Sequence, residues 1–307
     1  MEQRILGRGG PPVPVIGFGA WPIGGGMGAV DEADAIRTVH HALDHGVTLI
    51  DTAEAYRSSE ETLGKALRSW TGTRDQLFLA TKVRGNDLSR EHIERAIGAS
   101  LRQLGTDYVD LLQAHSWDAG HPIEETMRAF EALTRSGKVR YVGVSNFSVP
   151  QMEAARAVSG VQSLQPAYSL LARGVEAEIL PYCQAQGIGV LAHSPLAKGL
   201  LTGKYTPQTV FPADDERARM PRFSGAEGQH NLATAGRLQD WAAARGHTLV
   251  ELAIAWVLSN PAVTVCLCGA KSPAQVDDHV RAAAWQLSAA ERAEIDALLA
   301  AGGPGGA

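Results

Sequence analysis

The sequence predicts an α/β chain folded as a (β/α)8 TIM barrel, with an N-terminal hairpin and a long loop between strand 7 and strand 8. Three observations carry this. Eight short apolar runs each lead into a stretch of helical periodicity. They recur at roughly 30 residues, the length of a βα unit. The runs are continuously apolar rather than alternating, as strands covered on both faces must be. A length of 307 residues suits such a barrel, for which about 250 residues plus insertions is typical. Residues 1–307 are therefore read as one barrel domain. A doubly wound open sheet fits less well, because no Gly-rich phosphate turn follows the first strand.

Each element has its own signal. Arg4 to Leu6 and Val13 to Ile16 flank Gly7, Gly9, Gly10, Pro11 and Pro12, which predicts a small hairpin. Strand 1, Val15 to Phe18, empties through Trp21 into the turn Gly24-Gly25-Gly26. Asp31 caps a helix to His45 with Ala35, Ile36, Val39, Ala42 and Leu43 on one face. Strand 2, Val47 to Ile50, ends at Asp51, and a helix from Ser59 to Trp70 follows. Strand 3 is Phe78 to Val83, after which Ser89 caps a helix to Leu104. Strand 4, Tyr108 to His115, precedes a helix opened by Pro122 and ending near Ser136-Gly137. Strand 5 is Tyr141 to Asn146, with a short helix after Pro150. Strand 6, Ser163 to Tyr168, leads to a helix from Val175 to Gln186, stopped by Gly187. Strand 7 is Gly189 to Ser194. The stretch Lys204–Gln229 carries Pro207, Pro212 and Pro221 with Arg217, Arg219 and Arg222 and has no period. It reads either as a loop that closes over a site or as a disordered insertion. Helices from Asn231 to Arg245 and from Thr248 to Ser259 precede strand 8, Val263 to Cys268. A helix from Ser272-Pro273 to Ala284 and another from Ser288 to Leu299 lead to a Gly-rich tail expected to fray.

Composition narrows the function. The chain is 45% hydrophobic and 20% charged with a net charge of -5, so no basic surface recommends a nucleic-acid partner. No apolar run is long enough to span a bilayer and the N-terminus lacks a leader's apolar region, which points to the cytoplasm. Cys183, Cys266 and Cys268 are too few and too scattered for a disulfide framework; Cys266 and Cys268 alternate within an apolar run, share one face of a strand, and read as buried thiols rather than as a metal site.

In such a barrel, chemistry sits at the C-terminal ends of the strands. Asp51 ends strand 2, Lys82 strand 3 and His115 strand 4, with Tyr56 on the loop just above. Singly, each has a plain alternative: a helix-capping Asp, a Tyr packed on a loop, a structural Lys ion pair, a satisfied core histidine. Together they are hard to assign to packing, because burying each without partners costs a few kcal/mol.

Asp51, Tyr56, Lys82 and His115 resemble the catalytic tetrad of the aldo-keto reductases in type, order and strand placement. Gly17-Phe-Gly-Ala-Trp21, Asp51-Thr-Ala-Glu-Ala-Tyr56, Gly143-Val-Ser-Asn-Phe147, Gln165-Pro-Ala-Tyr-Ser-Leu-Leu171 and Ser194-Pro-Leu-Ala-Lys-Gly-Leu-Leu-Thr-Gly203 are similar to that family's signatures. The resemblance covers nearly the whole chain and implies NADPH-linked reduction of an aldehyde or ketone to an alcohol. It implies Tyr56 as proton donor, acidified by Lys82, which Asp51 holds charged, and His115 as the group that orients the carbonyl.

The resemblance places Ser145, Asn146 and Gln165 on the nicotinamide carboxamide, and Ser194 and Leu196 along the cofactor. His193 stands where many relatives carry a stacking Tyr or Trp. Gly269, Lys271, Ser272 and Gln275 resemble the family's 2′-phosphate clamp, apt at a helix N-terminus, and His279 stands where relatives often carry Asn against the adenine. Trp21, Trp117 and Phe147 are expected as walls of the substrate pocket. Relatives commonly carry Gly after the tetrad Tyr, whereas here Arg57 follows, expected to point to water. A competing function is a partner-binding channel subunit on the same barrel, against which the intact tetrad argues. Another is a metal-dependent barrel enzyme. His40, His41 and His45 share a helix, but no carboxylate cluster joins them at a strand end, so no metal is expected. The expected partner is a small carbonyl compound, and the expected assembly a monomer or weak dimer.

Overall fold

In the computed structural model, which describes residues 1–213 and 215–301, the eight expected strands close into one barrel. β1 (Gln3–Ile5) and β2 (Pro12–Pro14) pair antiparallel as the expected hairpin. β3 (Ile16–Gly19), β4 (Leu49–Asp51), β5 (Phe78–Val83), β6 (Val109–Ala114), β7 (Val139–Ser145), β8 (Ser163–Gln165), β9 (Gly189–Ala192) and β10 (Val265–Cys268) follow one another around the barrel, and β10 returns to β3. The helices are α1 (Glu32–Asp44), α2 (Ser59–Ser69), α3 (Arg90–Leu104), α4 (Ile123–Arg135), α5 (Val149–Arg156), α6 (Ile179–Gln186), α7 (Gly225–Ala243), α8 (Leu249–Leu258), α9 (Pro273–Ala282) and α10 (Ala289–Ala300). Asp31 and Ser89 cap α1 and α3 through their side chains, as their residue types predict.

Side chains alternate across each strand, so every second residue faces inward. Leu49, Phe78, Ala80, Leu111, Leu191, Val265 and Leu267 fill the barrel, and Leu6 and Val13 of the hairpin arm pack with them. A larger cluster lies between the strands and the surrounding helices. The same alternation carries Asp51, Lys82 and Gln113 inward above the apolar filling, one step up from Leu49, Ala80 and Leu111.

The departures from expectation have physical causes. The helix expected over Val175–Gln186 is split into a 3-10 turn at Gly174–Glu176 and α6 from Ile179. Glu176 is held by the Tyr168 hydroxyl at 2.6 Å and by Arg173 at 2.8 Å, which keeps that turn on the barrel. The helix expected from Asn231 begins at Gly225, because the Asn231 amide donates to Arg222 O at 3.1 Å and fixes its entry. The stretch before it is structured. Tyr205, Phe211 and Phe223 pack edge-to-face with centroids 5.0 to 5.9 Å apart, and two 3-10 turns cover Glu216–Arg219 and Pro221–Phe223. Cys183, Cys266 and Cys268 are buried free thiols. The tail Gly302–Ala307 lies outside the described residues. No helix among the described residues is long and apolar enough to cross a membrane.

Candidate active site

The tetrad converges at the C-terminal mouth of the barrel. Lys82, 1% exposed, donates to Asp51 Oδ1 at 2.5 Å, to Thr52 O at 2.9 Å and to Tyr56 Oη at 3.1 Å. All three ammonium protons are thereby placed. Asp51 Oδ2 accepts from Gln165 at 2.8 Å and from Gln113 at 3.2 Å, so the carboxylate caps no helix and is satisfied on both oxygens. The Tyr56 ring stands edge-on to Trp21 at 4.9 Å and to His115 at 5.4 Å. Gly24 permits this closeness, since a Cβ there would lie 2.2 Å from Tyr56 O. The His115 ring makes no hydrogen bond to another described residue and lines the cavity, so it is not a satisfied core histidine.

The charges follow from this packing. Burial pulls the Lys82 ammonium down, but Asp51 and then Tyr56 more than offset that and hold it above its ordinary value. The expected lowering of the Tyr56 pKa is outweighed. Burial raises the phenol, Lys82 offsets only part of it, and the net position is above ordinary. Burial, then the Lys82 charge, depresses His115 to about 4. Burial, then Lys82, takes His193 to about 3. Both imidazoles are neutral near pH 7.

Above the tetrad lies a cavity of about 640 Å³. Of the residues expected around a cofactor, Ser145, Asn146, Gln165, His193, Ser194, Leu196, Gly269, Lys271, Gln275 and His279 line it. Ser272 does not; it is the N-cap residue of α9. Ser145, Asn146 and Gln165 are knitted together: Ser145 Oγ donates to Gln165 O at 2.8 Å, and Asn146 Nδ2 to Ser145 Oγ at 3.0 Å and His115 O at 3.2 Å. His193 is fixed between Asn146 Oδ1 at 3.1 Å and Ser194 Oγ at 3.0 Å. The residues after the strands hold unusual backbone: Arg57, Asn146, Ser194, Ala197 and Lys198 have φ between 48 and 59°. Such positions cost of order 1–3 kcal/mol and cluster where a binding loop needs them. Arg57 thus occupies a conformation suited to glycine. Instead of pointing only to water, it donates to Gly25 O at 2.8 Å.

Trp21 lines the cavity, but Trp117 and Phe147 do not. They pack edge-on against each other at 5.3 Å, and Phe147, 1% exposed, belongs to the core. Sequence reasoning missed Gln113, whose signal was its inward parity two residues before His115. It also left open the stretch after Lys204. Lys204, Tyr205 and Arg217 from that stretch line the cavity with Lys271, while Arg219 and Arg222 do not. Arg217 is paired to buried Asp215 at 2.9 Å through Nε. Both Arg217 and Lys271, which line the cavity, reach Met27 O, so two cations meet on one carbonyl. Glu216 ties two residues of the cavity wall together, accepting from Trp21 Nε1 at 3.0 Å and Lys198 Nζ at 2.5 Å.

This geometry has relatives. The sequence pattern of the Aldo/keto reductase family matches residues 15–300. An aldo-keto reductase of Bacillus subtilis, YhdN, is 39% identical over 97% of this chain and 94% of its own. Among solved structures, the glycerol dehydrogenase AKR11B4 from Gluconobacter oxydans is 35% identical with a TM-score of 0.88, over 97% of this chain and 95% of its own. An aldo/keto reductase from Klebsiella pneumoniae in complex with NADP and acetate is 31% identical with a TM-score of 0.78, over 97% and 96% of the two chains.

Proposed function

This chain belongs to the aldo/keto reductase family, and from that premise we propose that its barrel mouth reduces an aldehyde or ketone to an alcohol with Tyr56 as proton donor. The protein is an NADP-dependent oxidoreductase acting on a small carbonyl substrate. NADPH, when bound, supplies the hydride. The observation that carries the assignment of roles is the hydrogen-bonded row Asp51–Lys82–Tyr56 under an open cavity. Tyr56 keeps its proton at neutral pH and can give it to the developing alkoxide. Lys82 stabilises the phenolate that remains, and Asp51 keeps Lys82 charged and in place. His115, neutral and unbonded, orients and polarises the carbonyl oxygen.

The cavity suits the cofactor by its donor set. Amide and hydroxyl groups of Ser145, Asn146 and Gln165 lie at the tetrad end and would hold the carboxamide, once Asn146 trades one of its present bonds. Lys271, Arg217 and Lys204 of the same cavity wall would hold phosphate. Lys271→Ala is expected to weaken NADPH binding while sparing NADH, since only NADPH carries the 2′-phosphate. Fluorescence titration with both cofactors measures this, and equal losses would remove Lys271 from the clamp.

The depressed histidines make a pH prediction. A base whose pKa is lowered in the fold stays neutral until the pH falls to that value, so no loss is expected at the ordinary histidine value of about 6.5. The kcat/KM profile for reduction should run without a histidine inflection from pH 8 to about 5 and fall only towards the His115 value of about 4. An inflection near 6.5 that vanished in His115→Ala would contradict a buried neutral imidazole.

We also propose that residues 1–307 form one cooperative domain. Supporting this, Arg4 of the hairpin donates to Leu258 O at 3.1 Å and Val263 O at 2.7 Å, tying the start of the chain to its last βα unit. Limited proteolysis should cut first in the Lys204–Gln229 stretch, around the exposed Val210, or in the Gly302–Ala307 tail. Two stable halves from an early cut near the middle would oppose it. A cytoplasmic location, no nucleic-acid partner and a monomer or weak dimer complete the reading; fractionation, nucleic-acid binding assays and gel filtration check them.

A further inference from the structure

α1, which follows the first barrel strand, and α9, which follows the last, pack side by side on the outside of the barrel. His41 lies in the last turn of α1 and His45, four residues on, is its C-cap residue, so their side chains lie on one side of the helix end. Their rings lie 4.1 Å apart between centroids. Asp277 of α9 comes to the same spot, its Oδ1 2.6 Å from His41 Nε2. His45 Nδ1 is held by His41 O at 2.8 Å. One donor atom from each of the three residues lies within 4.8 Å of the others, and no other such group of three occurs among the described residues.

We propose that His41, His45 and Asp277 form a binding site for one divalent transition cation of the zinc class, outside the catalytic mouth. Two imidazoles and one carboxylate are a zinc-type donor set that leaves a coordination position for water. In tetrahedral zinc sites, with bonds of about 2.1 Å, neighbouring donors stand about 3.4 Å apart. Small side-chain rotations at this surface bring the three atoms to that spacing. The bond from His45 Nδ1 to a backbone carbonyl is the kind of second contact that orients a ligating imidazole and leaves its other nitrogen free to bind. The nearest cation on α9, Arg281, is paired with Asp278 and with Glu251 at 3.1 Å, so it does not occupy Asp277. Harder cations are disfavoured, since magnesium prefers oxygen ligands.

The proposal does not depend on the reductase reading, and its test needs neither cofactor nor substrate. The full chain, freed of any affinity tag and treated with chelator, is titrated with zinc chloride by calorimetry, and its thermal midpoint is followed with and without zinc. One equivalent should bind saturably and raise the midpoint, and magnesium should do neither. His45→Gln and Asp277→Asn alter exposed or half-exposed side chains, so both should fold, and each should weaken zinc binding by at least about tenfold. A His230→Gln control should bind zinc like the parent chain. Absence of a one-equivalent saturable phase, or undiminished affinity in His45→Gln and Asp277→Asn, would overturn the proposal.

Discussion

Tyr56→Phe should lower carbonyl reduction by about 10² to 10⁴, the usual contribution of a general acid, while leaving NADPH binding and folding in place. The substitution deletes one hydroxyl whose bond in the structure is to Lys82 at 3.1 Å. The phenyl ring keeps its edge contacts with Trp21 and His115. Lys82 retains Asp51 and Thr52 O, so no buried charge is stranded. The loss should therefore fall on kcat in single-turnover measurements, with cofactor titrations unchanged. The raised phenol pKa sharpens the expectation: near neutral pH the donor is fully protonated in the parent enzyme, and the variant has nothing to put in its place. Near-normal turnover of Tyr56→Phe on a good carbonyl substrate would make His115 the leading candidate acid, and reduction would then have to be lost as the pH rises through the His115 value of about 4, the reverse of the profile expected with Tyr56.

The barrel was legible because the strands are short, mostly apolar runs, each followed by helical periodicity, a local signal that needs no partner to be read. Asp51, Lys82 and His115 stood out for the same reason, as polar residues at the exits of three consecutive strands. What escaped depends on contacts between distant positions. Gln113 holds Asp51 across 62 residues. Glu216 meets Trp21 across 195, and nothing in the Pro-rich composition around it announces that bond. Asp277 reaches His41 across 236 residues, so the carboxylate missing beside the α1 histidines could not be seen along the chain. Trp117 and Phe147 carry the residue types of pocket walls, but they satisfy each other instead. The net position of Tyr56 was also out of reach, because it is a balance between burial and the Lys82 charge, and burial is a property of the fold.

Lys82→Met should have the largest effect of all, because it removes one half of a buried ion pair. The Lys82 side chain is 0% exposed and that of Asp51 4%. Breaking such a pair on one side typically costs about 3–5 kcal/mol, since the remaining charge is left in the interior. Asp51 would keep only the amide bonds from Gln165 and Gln113. The variant should therefore unfold at markedly lower urea, and its reduction rate should collapse as well. These two losses have separate causes, and a second substitution tells them apart. Asp51→Asn alone should be milder, as the amide can still accept from Lys82. Combined with Lys82→Met it removes the stranded charge and should recover much of the lost stability. It should recover none of the rate, because Tyr56 would still lack the cation that stabilises its phenolate. Should the double variant regain activity along with stability, Lys82 would be a structural ion pair and no part of the proton transfer. Should Lys82→Met cost less than about 1 kcal/mol, Asp51 would be carrying a proton of its own, and the charged row beneath Tyr56 would have to be redrawn.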